Sequence, residues 1–455
     1  MRKTSRRILT GFVVVIVGLS GAYAFSLSRS VAKLRAAQAA LEADGRPINA
    51  AEMIPPEVPD EQNAALFYER AAAALKRQHT PRKTLLEYLS DLSRFAFRDS
   101  PDPERRAELE RLIKQDLVVR ALADIEQGTQ RPACRFNRDY RGGLLADLPM
   151  SKDARGLVRI LAARAGLEAE GGDPHKAWET VQTQLRLADA FRDEPTCDSQ
   201  LTRVIMTNYS CRIIQELCED ALPDEDGCRK IDSILKGLDG VEPLVRAVDA
   251  ERLLKGEWLF SLPRDEMYEA LSQSPWVGDE GPEILRRLAF RFIVFRPRLL
   301  ADHAAYLQRM RKGTQLLQGP YVPRGTEGYE EIWNVPGHYL LTHDLSPMLE
   351  FMTRFYCKAM TRLRLTRAGL GLLQYRRTHG AYPATLDALG LEGLNDPFTN
   401  ESLRYRNEGE SFLVYGVDED CKDNGGTEKE SREDKEFDIL WRFPRQTEDE
   451  AANEQ

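Results

Sequence analysis

The side chains whose types and spacing most clearly indicate a chemical role lie near the C-terminus, where acidic residues surround two adjacent glycines. The run from Tyr415 to Gly426 is rich in carboxylates and ends in Gly425-Gly426, and Asp438 precedes a short apolar stretch. Carboxylate oxygens on a flexible turn are the ligands that a hard cation such as calcium prefers. The run is therefore a candidate metal site, and the alternative is a solvated acidic loop.

Other residue types with catalytic potential occur without a catalytic spacing. None of the six histidines lies in an HExxH motif, and nucleophile-elbow and phosphate-binding loops are absent. His338 and His343 are close in sequence and could share one metal, or they could be two polar residues of a loop. The residues after Asp418-x-Asp420 do not continue the EF-hand ligand pattern. We therefore expect no enzymatic activity.

The N-terminus carries a compartment signal. Four basic residues within positions 2–7 precede an apolar run from Ile8 to Leu27, close to the length of about 20 residues that spans a bilayer. The leading positive charges favour a cytoplasmic N-terminus. Ala22-Tyr23-Ala24 could instead be the cleavage site of a secretory signal. The apolar run continues past that site, which favours a retained single-pass anchor with the rest of the chain outside the cytoplasm.

Composition limits the class of protein. The chain has 455 residues with 42% hydrophobic and 30% charged side chains, which predicts a folded protein of two or three domains. Its formal net charge of -8 argues against nucleic-acid binding, which requires a basic face. Basic and acidic residues alternate along most of the length and indicate solvated helix surfaces.

The seven cysteines contain no CxxC pair, which argues against a zinc ribbon or a thioredoxin-type site. An oxidising compartment permits disulfides. Cys211, Cys218 and Cys228 are close enough in sequence for some pairing, and the odd total leaves at least one thiol unpaired. The equally acceptable alternative is that the cysteines are buried free thiols.

The middle of the chain is predicted to be helical because apolar residues recur at helical spacing through most of residues 28–317. Leu157 to Ala190 shows two such stripes separated by Gly171-Gly172-Asp173. This pattern is typical of a helical hairpin, or of a single tetratricopeptide-type unit. Residues 318–347 are rich in glycine, proline and aromatic side chains and are predicted to form a connecting loop, with a site or an interface as a reason for its length.

The segment from 348 to 443 combines a helical pattern with strand-like patterns. A long helical pattern from about Pro347 to Arg377 is followed by strand-like runs at 403–406, 411–415 and 437–443. The sequence predicts a long helix with a small antiparallel sheet.

Short motifs in this segment resemble the C-terminal domain of the major pseudopilins of type II secretion, over roughly residues 360–443. The residues that carry the resemblance are Tyr375, Gly380–Pro383, Asp396-Pro397-Phe398, Tyr405, the acidic loop with Gly425-Gly426, and Asp438-Ile439. The resemblance implies calcium binding by this loop. By position it implies that Asp420, Asp423 and Asp438 are ligands, that Asp418 is a further candidate, and that the two glycines supply the turn. The charged insertion at 427–436 and Cys421 depart from the family.

The resemblance does not extend to pilus assembly. The apolar N-terminal helix is separated from the pseudopilin-like domain by more than three hundred residues, and no prepilin processing motif is present. The whole arrangement resembles uncharacterised bacterial envelope proteins. The divisions it predicts are a cytoplasmic basic segment (1–7), an anchor or signal (8–27), an α-helical domain (28–317), a loop (318–347), the α+β domain (348–443) and a disordered acidic tail (444–455).

From these features we expect a scaffold of the bacterial inner membrane that binds protein partners in the cell envelope. One alternative is an accessory of a type II secretion or pilus-like system. Another is an envelope hydrolase with a site in residues 318–347. Cleavage at Ala22-Tyr23-Ala24 would make the protein secreted instead of anchored.

Overall fold

The computed structural model describes residues 2–93, 102–143, 149–273, 295–327, 329, 336–345, 348–428 and 437–445. It is mainly helical, with a small antiparallel sheet close to the C-terminus and an apolar helix at the N-terminus. This confirms the predicted structural class. Apolar spacing predicts a helix from Pro282 to Phe295, of which residues 282–294 lie outside the described residues, as does the tail beyond residue 445.

The helices precede the sheet in sequence. Over the described residues up to 189 they are α1 (Arg2–Ala43), α2 (Ala65–Arg77), α3 (Leu85–Leu92), α4 (Pro103–Ile113), α5 (Asp116–Gly128), α6 (Pro149–Glu170) and α7 (Pro174–Asp189). They continue with α8 (Cys197–Cys218), α9 (Glu225–Leu238), α10 (Glu242–Glu251), α11 (Trp258–Ser261), α12 (Arg264–Gln273), α13 (Arg296–Gln318), α14 (Leu340–Leu345) and α15 (Met348–His379).

Helix α1 has two parts with different surroundings. Its 42 residues run without a break, a length of about 63 Å. In the first part, apolar side chains such as Phe12 and Leu19 are about two-thirds exposed. In the last part, Ala37 and Leu41 are buried where α1 packs against α13. The predicted apolar run and the predicted helix after it are therefore one helix, with one end in the folded body and the other outside it.

The hairpin predicted from Leu157 to Ala190 is confirmed as α6 and α7. The chain reverses where Gly172 has a φ of +86°, a conformation that favours glycine. Asp173 then caps α7 by accepting a hydrogen bond from the Lys176 amide at 3.1 Å, and Pro174 occupies the first helical position. In contrast, the stretch predicted as one helix over 107–125 is two helices, because the backbone of Gln115 is extended.

A π-helical turn, Arg252–Glu257, follows α10 and joins the linker after α1 to the body. Arg252 is 1% exposed and donates to the carbonyl oxygen of Pro47. The neighbouring Arg46 pairs with the buried Asp249 at 3.0 Å. The segment that leaves α1 is thus held by two charged contacts on one short stretch of helix.

The sheet has the order β1-β2-β3, with β1 (Arg404–Asn407), β2 (Phe412–Gly416) and β3 (Ile439–Phe443) all antiparallel. The three predicted strands are confirmed, and each of their ends lies within two residues of its predicted position. Val414 pairs with Trp441, and Trp441 is buried against α15. Because side chains alternate along a strand, Leu413 and Tyr415 lie on the opposite face, called the outer face below.

Helix α15 also packs against the preceding helices. Arg362 donates to the side-chain oxygen of Asn208 at 2.6 Å, and Arg364 makes a two-bond pair with Asp239 at 2.8 and 2.9 Å. One continuous apolar core extends from the end of α1 to β3. Helix α15, which the sequence assigns to the segment after residue 347, thus also packs against the helices before that residue. The predicted domain boundaries stay predictions.

The predicted connecting loop at 318–347 is not wholly irregular. It contains α14, whose start is held by the buried Asp302 of α13. The Asp302 carboxylate accepts hydrogen bonds from the amides of Leu341 at 3.1 Å and Thr342 at 3.0 Å. Residues 328, 330–335 and 346–347 of this segment lie outside the described residues.

Candidate metal loop on the C-terminal sheet

The acidic loop after β2 folds back over the outer face of the sheet. Gly425 and Gly426 have φ values of +72° and +76°, which explains why two glycines stand at this turn. A side chain at Gly426 would also meet the sheet, because a Cβ there would lie 2.6 Å from Leu413 Cδ2. The glycines predicted to form the turn do so, and they let the loop lie flat on β2.

Asp438 fixes the loop from the start of β3. Its Oδ2 accepts hydrogen bonds from the backbone amides of Asn424 at 3.0 Å and Gly426 at 2.8 Å. Its Oδ1 is buried and has no hydrogen-bond partner among the described residues. Burial raises the pKa of this carboxyl, and the nearby charge of Asp423 raises it further.

Asp423 is held by an arginine of β1. Its Oδ1 accepts from the Gly425 amide at 2.9 Å, and its Oδ2 accepts from Arg404 Nε at 2.8 Å. The backbone hydrogen bond and the arginine lower the pKa of Asp423. Arg406 donates to the Gly425 carbonyl oxygen at 3.1 Å. Two basic side chains of β1 thus fasten the loop to the outer face.

Asp418 lies on the other side of the sheet. Its Oδ2 accepts a hydrogen bond from Lys358 Nζ of α15 at 2.9 Å, and its Oδ1 is buried without a hydrogen-bond partner in the described part of the chain. Burial raises the pKa of Asp418 although Lys358 lowers it. Gly416 pairs with Ile439 in the sheet. Continued alternation therefore places Asp418 towards α15 and Asp438 on the outer face.

The four carboxylates that the resemblance implies as calcium ligands are thus not gathered at one point. Asp420 is partly exposed and accepts a local hydrogen bond from the Lys422 amide at 3.1 Å. Asp418 bonds to α15, whereas Asp423 and Asp438 lie on the outer face. Across the part of the chain that the structure describes, no three His, Cys, Asp or Glu side chains are placed to hold a metal ion. Residues 429–436 lie outside that part.

A second set of contacts joins the start of the loop to one face of α15, and no sequence motif indicated it. Arg354 pairs with Glu419 at 3.1 Å, and Lys358 pairs with Asp418. Further along α15, a Cβ on Gly416 would lie 2.8 Å from Thr361 Cγ2. Positions 354, 358 and 361 share one helix face. We refer to this set of contacts as the helix–loop seam.

Asp396 supports the seam from a neighbouring turn. It is fully buried, and it accepts hydrogen bonds from the amides of Phe398 at 2.9 Å and Val417 at 2.7 Å. The sequence marked Asp396-Pro397-Phe398 only as a motif. An Asp before Pro is typical of a turn, but its bond to the end of β2 spans 21 residues and cannot be read from spacing.

The two histidines that could have shared a metal are both exposed. His338 packs its ring on Tyr339, with ring centroids 4.0 Å apart, and its carbonyl oxygen accepts from Arg298. His343 lies in α14. Among the described residues, neither histidine belongs to a group that could hold a metal ion.

A groove lies between helices α4, α5, α6 and α7 and has a volume of about 540 Å³. Its apolar lining comes from Ile113, Val119, Leu122 and Leu167. Val119 is 51% exposed, which is unusual for a large apolar side chain of this protein outside α1. The volume falls within the range of about 300–1,000 Å³ typical of ligand sites.

Comparison of the chain with protein-family models, with curated proteins and with solved structures found no match. The resemblance to pseudopilins and the calcium ligands that it implies stay predictions. The features that bear on function are the two-part helix α1, the groove and the loop on the sheet.

Proposed function

We propose that the protein is a membrane-anchored scaffold of the bacterial cell envelope, with α1 in the inner membrane and the body outside the cytoplasm binding protein partners. The observation that carries the proposal is the continuity of α1. Its first part is apolar, exposed and long enough to cross a membrane, and a signal sequence would share these properties. Its last part is packed into the body, so the anchor and the body form one unit.

Contacts near the possible cleavage site favour retention of the anchor. The ring of Tyr23 meets the ring of Phe295 edge to face, with centroids 5.2 Å apart. Cleavage after Ala24 would remove this contact. At the other end of α1, Asp44 accepts two hydrogen bonds from Arg311 of α13 at 2.7 and 2.9 Å. The body would therefore be held in a set orientation instead of on a flexible tether.

The groove between α4 and α7 is the proposed partner surface. Val119, the exposed apolar side chain of its lining, favours contact with an apolar side chain of another protein. Its rim carries charges of both signs, and several are already paired: Arg164 contacts Glu126 at 2.8 Å and Glu168 at 2.7 Å. A paired rim around an apolar centre suits a protein segment better than a small charged ligand.

The test combines topology with local crosslinking. Protease added to spheroplasts should degrade the body, and the chain should stay with membranes after an alkaline wash. A photo-crosslinking amino acid at position 119 should capture a defined partner, whereas the same residue at position 48 should not. Ile48 is 64% exposed and lies far along the chain from the groove helices, so it is a matched control.

The outcomes separate the alternatives. A body protected from protease would contradict the proposed topology. Equal capture at positions 119 and 48 would contradict the groove as the partner surface. Capture of secretion-machine or pilin components at position 119 would identify the protein as an accessory of such a system.

We also propose that the acidic loop takes up calcium, and the donor set fits in part. Asp438 Oδ1 is a buried carboxylate oxygen to which no described residue donates a hydrogen bond, as expected of a cation ligand. Asp423 lies on the same face, but Arg404 already balances its charge. Calcium would supply a second positive charge that ties β3 to the loop.

Thermal unfolding of the full chain tests calcium uptake. Calcium should raise the melting temperature and a chelator should reverse the rise, since a ligand that binds only the native state stabilises it. Asp438→Asn is the matched variant, because its amide oxygen can still accept the two loop hydrogen bonds while the charge is lost. An unchanged melting temperature of the wild type with calcium would contradict this second proposal.

A further inference from the structure

Two cysteines from distant parts of the chain lie at the same turn beside the helix–loop seam. Cys357 is on α15, between the seam residues Arg354 and Lys358, and Cys421 is in the acidic loop. Cys357 Sγ contacts the Pro397 carbonyl oxygen at 3.9 Å. Cys421 Sγ contacts the next carbonyl oxygen, that of Phe398, also at 3.9 Å. The two thiols therefore contact the carbonyl oxygens of two consecutive residues.

The backbone of the loop brings Cys421 towards α15. The Cys421 amide donates to the Asp418 carbonyl oxygen at 2.9 Å and closes a tight turn. Asp418 is bonded through its side chain to Lys358, the residue that follows Cys357. Cys421 has a φ of +55°, which is uncommon for a residue other than glycine, asparagine or aspartate. The surrounding contacts thus hold Cys421 in this position at the expense of backbone strain.

The charged groups that act on the Cys357 thiol and on the Tyr321 hydroxyl also indicate that the two cysteines are close together. Burial, Asp396 and the charge of Cys421 raise the pKa of the Cys357 thiol to about 12. Burial, Glu419 and both thiols raise the pKa of the Tyr321 hydroxyl. The Tyr321 ring also contacts Phe398, with centroids 4.8 Å apart. Tyr321 thus lies beside both cysteines.

We propose that Cys357 and Cys421 form a redox pair whose disulfide fastens the acidic loop to α15. All seven cysteines are thiols in the structure. The physiological setting rests on the proposed location outside the cytoplasm, where disulfides persist. Closing the bond requires the loop to bring the two Cα atoms within about 7 Å of each other.

Thiol–disulfide exchange with a disulfide oxidant supplies the chemistry. Cys421 is partly exposed and Cys357 is 6% exposed, so the oxidant meets Cys421 first. With oxidised glutathione, the Cys421 thiolate attacks one sulfur, and one glutathione leaves with the bonding electron pair. The Cys357 thiolate then attacks the Cys421 sulfur, and the second glutathione leaves. Two electrons pass to glutathione, and the two cysteine protons end on its thiols.

The bond would lock the loop next to the Lys358–Asp418 contact. The loop carries Asp423 on its far side and is bonded there to Asp438 of the neighbouring strand, so its attachment to α15 would limit how far these carboxylates can move apart. Oxidation would therefore stabilise the loop on the sheet, and reduction would leave the seam's ion pairs and hydrogen bonds to hold it.

The experiment uses the purified full chain in detergent. It is incubated in glutathione buffers of fixed redox ratio at about pH 8.5, where free thiols begin to ionise. Free thiols are then alkylated, and linked peptides are identified by peptide mass mapping. In oxidising buffer we expect a linked peptide pair that contains Cys357 and Cys421 and is lighter by two hydrogen atoms than the free peptides. We also expect a higher melting temperature than in reducing buffer. Because the buffers set the redox state, failure of the proposed envelope location would not change this result.

Variants identify the pair. Cys421→Ser should abolish both the linked peptide and the redox dependence of melting. Cys211→Ser is the matched control and should preserve both, since burial, Thr366 and Arg362 account for the environment of the Cys211 thiol. Full alkylation of both cysteines in oxidising buffer would overturn the proposal. Exclusive linkage of Cys218 to Cys228, whose thiols are also neighbours, would overturn it as well.

Discussion

Gly369 of α15 and the indole ring of Trp441 on β3 are in direct contact. A Cβ placed on Gly369 would lie 2.0 Å from Trp441 Cζ3, a separation that real atoms do not adopt. Trp441 is 4% exposed, so its ring has no open space into which it could move. The packing of the sheet on the long helix therefore depends on the absence of a side chain at position 369.

Gly369→Ala should destabilise the protein. Alanine gains about 1 kcal/mol over glycine in a helix, but overpacking of a filled core costs about 1–3 kcal/mol and occasionally more. We expect a net loss of up to about 2 kcal/mol in the free energy of unfolding, the difference between these two effects, with a changed near-ultraviolet circular dichroism signal. Urea denaturation measures the loss.

Gly166→Ala is the control for this variant. Gly166 lies within α6, and apart from its chain neighbours and the backbone of its own helix no described atom lies within 4 Å of a Cβ placed there. Alanine at this position should stabilise the protein by up to about 1 kcal/mol, because only the helix preference changes. Equal stabilisation by both variants would show that the Gly369–Trp441 contact does not constrain the packing.

The elements that could be predicted from sequence are those set by local patterns. The α6–α7 hairpin was predicted because Gly171-Gly172-Asp173 interrupts two stripes of apolar residues at helical spacing. The first two strands were predicted because strand-like runs lie on either side of the turn residues 407–410, and the third was predicted from the run at 437–443. The break between α4 and α5 was missed because no glycine or proline marks Gln115, and the apolar spacing continues across it.

The candidate site was predictable only in part, for a physical reason. The turn at Gly425-Gly426 is local, and the sequence indicated it. The partners of the carboxylates are not local: Asp418 meets Lys358 across 60 residues, and Asp423 meets Arg404 across 19. Spacing along the chain does not encode such pairs, and the ligand set of Asp420, Asp423 and Asp438, with Asp418 as a further candidate, was implied by the resemblance alone. The structure places Asp418 towards α15 and Asp423 and Asp438 on the outer face.

A buried charge pair in the helical body gives the second prediction. Glu194 contacts Arg138 at 3.1 Å, and both side chains are at most 3% exposed. The Tyr140 hydroxyl also donates to Glu194 at 2.8 Å. Glu194→Ala should lower the free energy of unfolding by about 3–5 kcal/mol, because it leaves a buried arginine without its counter-charge. Chemical denaturation measures this loss.

An exposed pair is the matched control. Glu225 contacts Arg229 at 2.6 Å, and both side chains are about two-thirds exposed. Glu225→Ala should change stability by less than about 1 kcal/mol, because water screens the pair. A similar small effect of Glu194→Ala would mean that water reaches Arg138.

The two-part character of α1 gives the third prediction. Leu41→Ala should lower the stability of the body by about 2–5 kcal/mol, because Leu41 is 2% exposed against α13 and its loss leaves a cavity. Hydrogen exchange of residues 30–43 in detergent should accelerate. Val14→Ala should leave both measurements unchanged, since Val14 is 65% exposed in the apolar part. Equal effects of the two variants would contradict the division of α1.

The reactivity of Cys421 towards iodoacetamide gives the fourth prediction, for the fully reduced protein. Burial and three nearby aspartates raise the pKa of this thiol from the ordinary 9.0 to about 12. Only the thiolate reacts, so at about pH 8 the native protein should react about a thousandfold more slowly at Cys421 than the unfolded chain. The native rate should rise about tenfold for each pH unit from about 7 to 10, because the thiolate fraction grows in that proportion well below the pKa.

Cys228 is the internal reference for this measurement. It is partly buried like Cys421, but burial raises its pKa only to about 11. Mass spectrometry of the same alkylated sample should therefore show native Cys228 reacting about tenfold faster than Cys421. A native Cys421 rate that levels off near about pH 9, as for an ordinary thiol in urea, would mean that the thiol is solvated. The acidic loop would then lie away from the turn at Phe398 in solution.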